Sequence, residues 1–484
     1  MSFDVIIVGF GFAGGAAAMA AHDAGARVLI LEKQPDPGGI SVCSAGGLRI
    51  ARDAEAAFEY LTATNAGTTP APVLRALADG MTRVAEDVQA LACACGAQVG
   101  LRDSAGNYPF PGADTFGFAY VDEVPGLDIG KNFPQVRGSP AGARLFKLVL
   151  EGVRRRGIEV RAGTRVSRLL DGVGGVLTEG EEIEAARGVV LACGGFEADA
   201  EMQRQHWQIK PVLSAAVRGN TGDGVRMAQA AGAGLWHMWH FHGSYGFRHP
   251  DPAYPFGVRL KRLPDWMPGQ PQRNDVRMSW ILLDRGGRRF MNEYDPYLQD
   301  TGHRPLEAFD PITQSYPRIP AALVVDAAGR RQYALSAPTW HDRDVATLFG
   351  HEGPADFDER ILLRADSLHG LAAALDLPPA AVEASVREWN AGHDPFGRPR
   401  ASMMPIAEPP FFGAHVWPIV SNTQGGPAHD EKQRVLDAFG VPIPRLYVAG
   451  ELGSVFGHLY MSGGNLAECF IGGRIAGRGV AGVE

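Results

Sequence analysis

The sequence predicts an α/β fold in which a Rossmann-like nucleotide-binding domain is interrupted by an inserted α+β capping domain. A strand, a glycine turn, a helix and a second strand open the chain, and a strand, a glycine-rich turn and a helix close it. Between them, from about Trp236, the composition shifts toward Trp, His, Pro and Arg. We expect the first nucleotide-binding part at residues 1–237, the capping domain at 238–423 and the second nucleotide-binding part at 424–484.

The opening motif assigns a role to each glycine. The apolar run DVIIV predicts a strand, and the Ala-rich segment after GFGFAG predicts a helix. Gly9 permits the tight turn, Gly11 lets the backbone approach a pyrophosphate, and Gly14 allows the helix to pack on the strand. The helix start offers free N–H groups to phosphates. Glu32 ends the second strand at about the spacing expected of an acid that binds ribose.

The overall composition excludes several classes of partner. The net charge is −8 without a basic tract, so we expect no nucleic-acid partner. No apolar run is long enough to predict a membrane span, and the start of the chain has no basic leader, so a cytoplasmic location is the expectation. The five scattered cysteines do not suggest a disulfide framework. Cys93 and Cys95 lie in an Ala-rich segment that predicts a helix, where packing is favoured over metal binding, and we expect no metal.

Further along the chain, Pro72 to Leu91 predicts one long helix, and Gly142 to Arg156 predicts another. Six motifs then resemble, in chain order, those of the fumarate reductase and 3-ketosteroid dehydrogenase superfamily of flavoproteins. They are GFGFAGGAAA with Glu32-Lys33, PGGISVCSAGGL, ACGGF, NTGDG, DRGGRRFMNE, and VAGELGSV with the later SGGN. The resemblance covers nearly the whole chain and implies an oxidoreductase that uses FAD rather than a nicotinamide.

The resemblance also implies which residues contact FAD. The loop from Gly39 to Gly47 would lie under the isoalloxazine ring, and the helix start at Asn465 would place positive partial charge near flavin N1 and O2. Relatives with covalent flavin have a histidine where this chain has Ile40, so we expect non-covalent FAD. The full expected set is Gly9, Gly11, Ala13, Gly14, Glu32, Lys33, Gly39, Ile40, Ser41, Gly46, Gly47, Val166, Ala192, Gly194, Asp223, Gly450, Glu451, Asn465 and Leu466.

Three positions separate the branches of this superfamily. Fumarate-type enzymes have an arginine proton donor where this chain has Tyr297, and a substrate-binding arginine where it has Met461. They have a carboxylate-binding histidine where it has Asn422. Each charge-assisted hydrogen bond to a dicarboxylate that is lost would weaken its binding free energy by ~1.5–3 kcal/mol. Fumarate or succinate is therefore a poor match for this chain.

The same positions are similar to those of the ketosteroid dehydrogenases, which have Pro-Tyr after the Asn-Glu pair and a tyrosine before the last glycine turn. The resemblance implies that Tyr297 removes the proton α to a ketone, while Tyr460 O–H and Gly464 N–H bind the ketone oxygen. Each preorganised donor stabilises a developing enolate by ~3–4 kcal/mol. A neutral tyrosine, with a pKa of ~10, needs neighbours that lower its pKa before it can act as a base. Hydride would then pass from the β carbon to flavin N5.

We therefore expect an FAD-dependent dehydrogenase that desaturates a cyclic ketone, such as 4-oxocyclohexanecarboxylate or a 3-ketosteroid. The electron acceptor could be oxygen, a quinone or another carrier. An alternative is a fumarate reductase-like flavoprotein that reduces an activated alkene, and another is a flavin-binding protein without turnover. Tyr108 could assist in the pocket, and His242 lies near the position of a substrate histidine in fumarate-type enzymes. The capping-domain cations, any of which could bind a carboxylate or simply be solvated, are Arg248, Arg259, Lys261 and Arg262.

Overall fold

In the computed structural model, which describes residues 3–262, 277–294 and 301–483, the opening strand Phe3–Val8 lies inside an eight-stranded sheet. The main path of this sheet runs in the order Arg434–Leu436, Pro442–Val448, Glu182–Leu191, Phe3–Val8, Val28–Leu31 and Glu159–Arg161. Five neighbouring strands are parallel and Arg434–Leu436 forms an antiparallel edge. Gly175–Thr178 pairs with Glu182–Leu191, and Val166–Leu169 pairs in turn with Gly175–Thr178. The strand Val28–Leu31 is apolar throughout because both faces of a parallel sheet are covered.

The first and last helices, Phe12–Asp23 and Gly464–Val480, pack directly on each other. A Cβ at Gly477 would overlap the carbonyl oxygen of Ala17, and one at Gly473 would lie 2.6 Å from the carbonyl oxygen of Ala13. Only residues without a side chain allow this approach. Because each helix follows a parallel strand of the same sheet, both helices begin at its carboxyl edge, where ligands bind in this class of fold.

A second eight-stranded sheet forms the capping region. Its order is Trp280–Leu283, Ala321–Asp326, Phe411–Thr423, Phe241–Arg248, Gly257–Leu260 and Ser336–Ala337, and Leu213–Ser214 and Leu363–Ala365 also pair with Phe411–Thr423. The neighbours on the main path are antiparallel. All of these strands except Leu213–Ser214 lie within 238–423. The predicted α/β fold with an α+β cap is confirmed, and the boundaries between its parts stay a prediction.

Smaller elements complete the described chain. Leu48–Ala51, Phe116–Glu123 and Gln98–Asp103 form a three-stranded sheet, and two further pairs are Leu235–Trp236 with Gly426–Pro427 and Trp340–His341 with Val136–Arg137. The other helices are Ala54–Asn65, Ala71–Met81, Val84–Cys95, Ile129–Asn132, Pro140–Arg155, Ala200–His206, Asp223–Ala230, Ala327–Arg330, Arg343–Phe349, Pro354–Ile361, Leu368–Ala374 and Pro379–Asn390. Within the ranges that the structure describes, no helix is both long and apolar enough to cross a membrane.

The single helix predicted over 72–91 is wrong. The structure has two helices there, Ala71–Met81 and Val84–Cys95, joined by a turn in which Arg83 N–H donates to the Gly80 carbonyl. Arg83 has a non-helical backbone, with φ −122°. A Cβ at Gly80 would overlap the side chain of Ile471, so the end of the helix Ala71–Met81 packs closely against the C-terminal helix. The break lets both pieces pack around that contact.

Candidate active site

The opening glycine turn has the geometry that the motif predicts. Gly9 has φ +101°, and a Cβ there would lie 2.5 Å from the Ala192 carbonyl oxygen. A Cβ at Gly14 would overlap the Gly9 carbonyl oxygen, so the helix packs on the turn without a side chain between them. Gly11 is the N-cap residue, and no side chain of the cap bonds to the N–H groups of the first helical turn. The turn therefore presents backbone N–H groups at a helix N-terminus, where phosphates bind.

Glu32 lies buried beside this turn. Its carboxylate accepts hydrogen bonds from Phe10 N–H and Gln34 N–H, both at 2.8 Å. Burial raises the pKa of Glu32, although the N–H donors of Gln34 and Phe10 oppose the increase. A carboxylate oriented by two backbone donors retains lone pairs for the hydroxyl groups of a ribose.

Lys33 and Asp223, distant in sequence, are neighbours in the structure. Lys33 Nζ lies 2.9 Å from Asp223 Oδ2, and Arg165 Nη2 lies 3.0 Å from Asp223 Oδ1. Burial alone would raise the pKa of Asp223, but the bonds from Arg165 and Lys33 outweigh burial and lower it. These contacts hold the start of the helix Asp223–Ala230 against the segment that follows the strand Val28–Leu31.

The loop at 39–47 has two glycines in the left-handed region, Gly39 with φ +49° and Gly46 with φ +71°. A Cβ at Gly46 would overlap the backbone of Ala141, so this glycine packs against the helix Pro140–Arg155. The N–H of Phe12 donates to Ser41 Oγ at 3.3 Å and ties the loop to the first helix.

These elements enclose a cavity of about 500 Å³, within the range of small-molecule sites. It is lined by most of the residues expected to bind the cofactor, namely Gly9, Gly11, Ala13, Glu32, Lys33, Gly39, Ile40, Ser41, Gly47, Val166, Ala192, Gly194, Asp223, Glu451, Asn465 and Leu466. Gly14, Gly46 and Gly450 are not in the lining. Gly450, with φ +80°, lies so close to Ala13 that a Cβ would be 2.7 Å from the Ala13 Cβ. Gly14 and Gly450 let lining residues approach one another, and Gly46 lets the loop pack on the helix Pro140–Arg155.

Tyr460 lines the same cavity and is only 3% exposed. Its ring lies on that of His242, with 4.1 Å between the ring centroids. His242 Nδ1 is 2.9 Å from Asn422 Oδ1, and Asn422 Nδ2 donates to Asn465 Oδ1 at 2.7 Å. The structure thus brings the predicted tyrosine, the candidate histidine and the predicted flavin-binding asparagine into one network.

Gly464 is placed differently from the expectation. Its N–H donates to the Met461 carbonyl at 2.8 Å, and the residue is not among those that line the cavity. The N–H of Asn465, one residue later, donates to Tyr460 Oη at 3.5 Å. The glycine's part in binding a ketone oxygen stays a prediction, and any ligand there would compete with an existing hydrogen bond.

Sequence reasoning missed two buried acids beneath the cavity. Glu468 accepts from Val455 N–H at 2.7 Å, Ser454 Oγ at 2.8 Å and Asn465 Nδ2 at 2.9 Å, and burial raises its pKa to about 7. It follows Asn465 by one helical turn, a spacing that could have indicated the contact. Glu197 accepts from Asn220 Nδ2 at 2.6 Å.

Glu197 and Glu451 form a coupled acid pair. Burial raises the pKa of Glu197, and the nearby Glu451 carboxylate raises it further. Glu451 accepts from Thr423 N–H at 2.8 Å, and burial raises its pKa to about 7. Two buried carboxyl groups side by side cannot both ionise without a large cost, so at least one of them holds a proton near neutral pH.

The remaining candidates differ in where they lie. Tyr297 falls outside the described residues. Tyr108 packs in the core, where its N–H donates to Tyr60 Oη at 3.0 Å, and it does not line the cavity. Of the four cations named in the capping region, Arg259 lines the cavity, while Arg248, Lys261 and Arg262 do not.

A parallel sheet, a glycine turn at a helix start and a carboxylate placed for ribose define a protein that binds a dinucleotide. The FAD binding domain family matches residues 4–466, and the chain belongs to this family. It is an FAD-dependent oxidoreductase, and the resemblance drawn from the motifs is confirmed. Its residues fit FAD, because the acid, the glycine turn and the starts of two long helices face one cavity.

Two relatives and one solved structure are similar to this chain over nearly its whole length. Digoxin reductase of Eggerthella lenta is 28% identical over 99% of this chain and 87% of its own length. The 4-oxocyclohexanecarboxylate 2-dehydrogenase of Sinomonas cyclohexanicum is 27% identical over 99% of this chain and 93% of its own length. The solved 3-ketosteroid Δ1-dehydrogenase of Sterolibacterium denitrificans superimposes with a TM-score of 0.80, at 22% identity and 99% coverage of both chains. This last likeness shows the fold.

Proposed function

We propose that this flavoprotein introduces a double bond between the α and β carbons of a cyclic ketone. The observation that carries the proposal is the placement of Tyr460, a buried phenol that lines the cavity beside the start of the C-terminal helix. The amide of Asn422 and the thioether of Met461 stand at two of the three sequence positions where fumarate-type enzymes have cationic groups, and Tyr297 stands at the third. A phenol donor suits a neutral carbonyl oxygen that gains negative charge as an enolate forms.

The chain's own residues would act mainly at the carbonyl. Tyr460 O–H donates to the ketone oxygen, and Gly464 N–H exchanges its bond to the Met461 carbonyl for one to the same oxygen. The positive end of the helix stabilises the developing charge. Tyr297 is the proposed base for the α proton. FAD, when bound, supplies the acceptor for the hydride that leaves the β carbon.

The relatives support a cyclic ketone as the substrate class. One is named for 4-oxocyclohexanecarboxylate, and the solved neighbour is in complex with 1,4-androstadiene-3,17-dione. We favour a small oxocyclohexane over a 3-ketosteroid, with oxygen, a quinone or another carrier as the electron acceptor.

A second candidate is the reduction of an activated alkene. His242, which packs on Tyr460, lies near the sequence position of a substrate histidine in fumarate-type enzymes, and one relative is named a reductase. In this case the electrons would flow from a reduced donor through the flavin to the alkene. The two candidates differ in which ligand changes the flavin colour.

The test adds 4-oxocyclohexanecarboxylate, a 3-ketosteroid or fumarate to the yellow holoenzyme without oxygen. Loss of flavin absorbance on adding a ketone supports the desaturase, and recovery of absorbance when dithionite-reduced enzyme meets fumarate supports the reductase. Tyr460→Phe should slow bleaching about 100-fold, as expected for loss of one oxyanion donor. Tyr316→Phe, a change to a tyrosine that packs on Phe309 away from the cavity, is the control and should bleach like the parent. If no ketone bleaches the flavin, the proposal fails.

A further inference from the structure

Arg259 places a guanidinium group in the wall of the cavity. It lies on the strand Gly257–Leu260, opposite Gly246 on one side and Ala337 on the other. Its Nη2 donates to Ser421 Oγ at 3.0 Å. Its Nε is fully shielded from solvent and has no hydrogen-bond partner among the described residues.

Within the described ranges, no carboxylate forms an ion pair with Arg259. Two other largely buried arginines are paired: Arg289 contacts both Glu293 and Asp394 at 2.6 Å, and Arg398 contacts Glu293 at 3.3 Å. Burial lowers the pKa of Arg259, and the thiol of Cys43 and the phenol of Tyr254 are the groups that oppose this. A cation removed from water without a counter-ion is costly, so such groups are normally paired or bind a ligand.

A chain of contacts connects Arg259 to the ketone-binding end of the cavity. Tyr460 packs on His242, and His242 contacts Asn422. Asn422 follows Ser421, whose hydroxyl accepts from Arg259. All of these residues line one cavity. The chain of contacts begins at the phenol of Tyr460 and ends at the guanidinium of Arg259.

We propose that Arg259 binds a carboxylate group of the substrate, and that the substrate is therefore a cyclic keto acid. The ketone part of this inference rests on the proposed function. The carboxylate part does not, because binding a carboxylate requires no redox chemistry. The planar guanidinium can donate two parallel hydrogen bonds to a carboxylate, through Nε and one terminal nitrogen. The unpartnered Nε provides one of the two donors.

A cation at this position also discriminates against neutral substrates. A ketone without the acid group would leave the guanidinium desolvated and unpaired, which a buried site penalises. We expect the holoenzyme to use 4-oxocyclohexanecarboxylate about 10- to 100-fold more efficiently, as kcat/KM, than its methyl ester.

The first experiment measures binding without turnover. Cyclohexanecarboxylate has the acid but no ketone, so it can perturb the flavin spectrum without reducing the flavin. Titration of the holoenzyme should give a Kd that rises about 10- to 100-fold in Arg259→Gln, and less in Arg259→Lys, which keeps the charge but not the planar fork. Arg248→Gln is the matched control, because Arg248 lies on the neighbouring strand of the same sheet, exposed, over the ring of Trp417 and outside the cavity.

The second experiment compares keto acid and methyl ester in the same variants. Arg259→Gln should lower kcat/KM for the acid and raise that for the ester, because the unpaired guanidinium is gone, so the preference for the acid should shrink about 10- to 100-fold while the FAD content equals that of the parent. An equal loss for both substrates, a loss of bound FAD, or no binding of cyclohexanecarboxylate to the parent would overturn the proposal. Arg259-dependent binding without any ketone oxidation would instead overturn the proposed function and leave the anion site standing.

Discussion

His242 Nδ1 lies 2.9 Å from Asn422 Oδ1, and this contact determines which imidazole nitrogen carries the proton. Asn422 donates its amide N–H to Asn465 Oδ1, so its own oxygen must be the acceptor toward the histidine. A neutral His242 therefore has its proton on Nδ1 and its lone pair on Nε2. Asn422 therefore orients two residues that both contact Tyr460, His242 through its ring and Asn465 through its backbone N–H.

Asn422→Leu should reduce catalysis without releasing the cofactor. The change removes the two hydrogen bonds of the Asn422 amide, each worth about 1 kcal/mol, and lets both His242 and Asn465 reorient. We expect kcat for the ketone to fall about tenfold or more while the flavin absorbance of the purified protein is unchanged. Steady-state kinetics with bound-flavin quantification would check this. Unchanged kcat in the variant would show that the contact has no part in the reaction.

Glu32→Gln should weaken FAD binding. The carboxylate is fixed by the N–H groups of Phe10 and Gln34, and a ribose hydroxyl bonded to a charged oxygen would lose ~1.5–3 kcal/mol when the charge is removed. The Kd for FAD, measured by recovery of flavin fluorescence on dilution, should rise about 10- to 100-fold. Glu55→Gln, at an exposed ion pair with Arg75, serves as the control and should bind FAD normally. Equal retention of FAD in both variants would contradict the assigned role.

The parts of the site that the sequence predicts well are those in which the function depends on local backbone geometry. Gly9 and Gly14 are required within one turn, and the strand and helix that flank them are evident from the pattern. Lys33 and Asp223 were both expected near the cofactor, although their mutual contact joins distant segments. A motif therefore predicts that each of these residues lies near the cofactor, but it does not predict which of them contact one another.

The parts that could not be predicted depend on packing between distant segments. Nothing local distinguishes Arg259 from Arg248, yet the pairing of Gly257–Leu260 within its sheet puts Arg259 into the cavity wall. The proton-sharing of Glu197 with Glu451 depends on the meeting of two different turns. The bond from Gly464 N–H to the Met461 carbonyl is an exception, because it is local, but a motif does not specify the conformation of its turn.

Stability should fall as the pH rises from ~4.3 to about 7. Burial raises the pKa of Glu468 from its ordinary value to about 7, so the folded state binds its proton more tightly than the unfolded state does. The stabilisation from this group is fully present below the unfolded pKa of ~4.3 and is lost as the pH rises through about 7. A tenfold difference in proton affinity between the two states corresponds to ~1.4 kcal/mol, which makes the effect measurable in Tm.

Glu468→Gln isolates this contribution. The variant cannot ionise at this position, so the drop in Tm between pH 5 and pH 8 should be smaller than in the parent, measured on apoprotein by scanning calorimetry. Glu388→Gln, at an exposed position on the helix Pro379–Asn390, should keep the parent's drop. A parent Tm that does not fall over this range would argue against a protonated Glu468.

Gly477→Ala should disrupt the contact between the first and last helices, and with it the cofactor site. The added methyl group would overlap the Ala17 carbonyl oxygen, a backbone atom that cannot move without shifting the helix Phe12–Asp23. Overpacking of this kind costs about 1–3 kcal/mol or more, which outweighs the gain in helix propensity of ~1 kcal/mol from replacing glycine. Both helix starts face the cavity, so FAD affinity should fall together with Tm.

Gly479→Ala is the matched control in the same helix, because its methyl group would meet only the Tyr447 ring edge at 2.9 Å, the end of a side chain that can turn away. We expect the control to retain FAD, and equal FAD affinity in the two variants would contradict the role assigned to this helix contact.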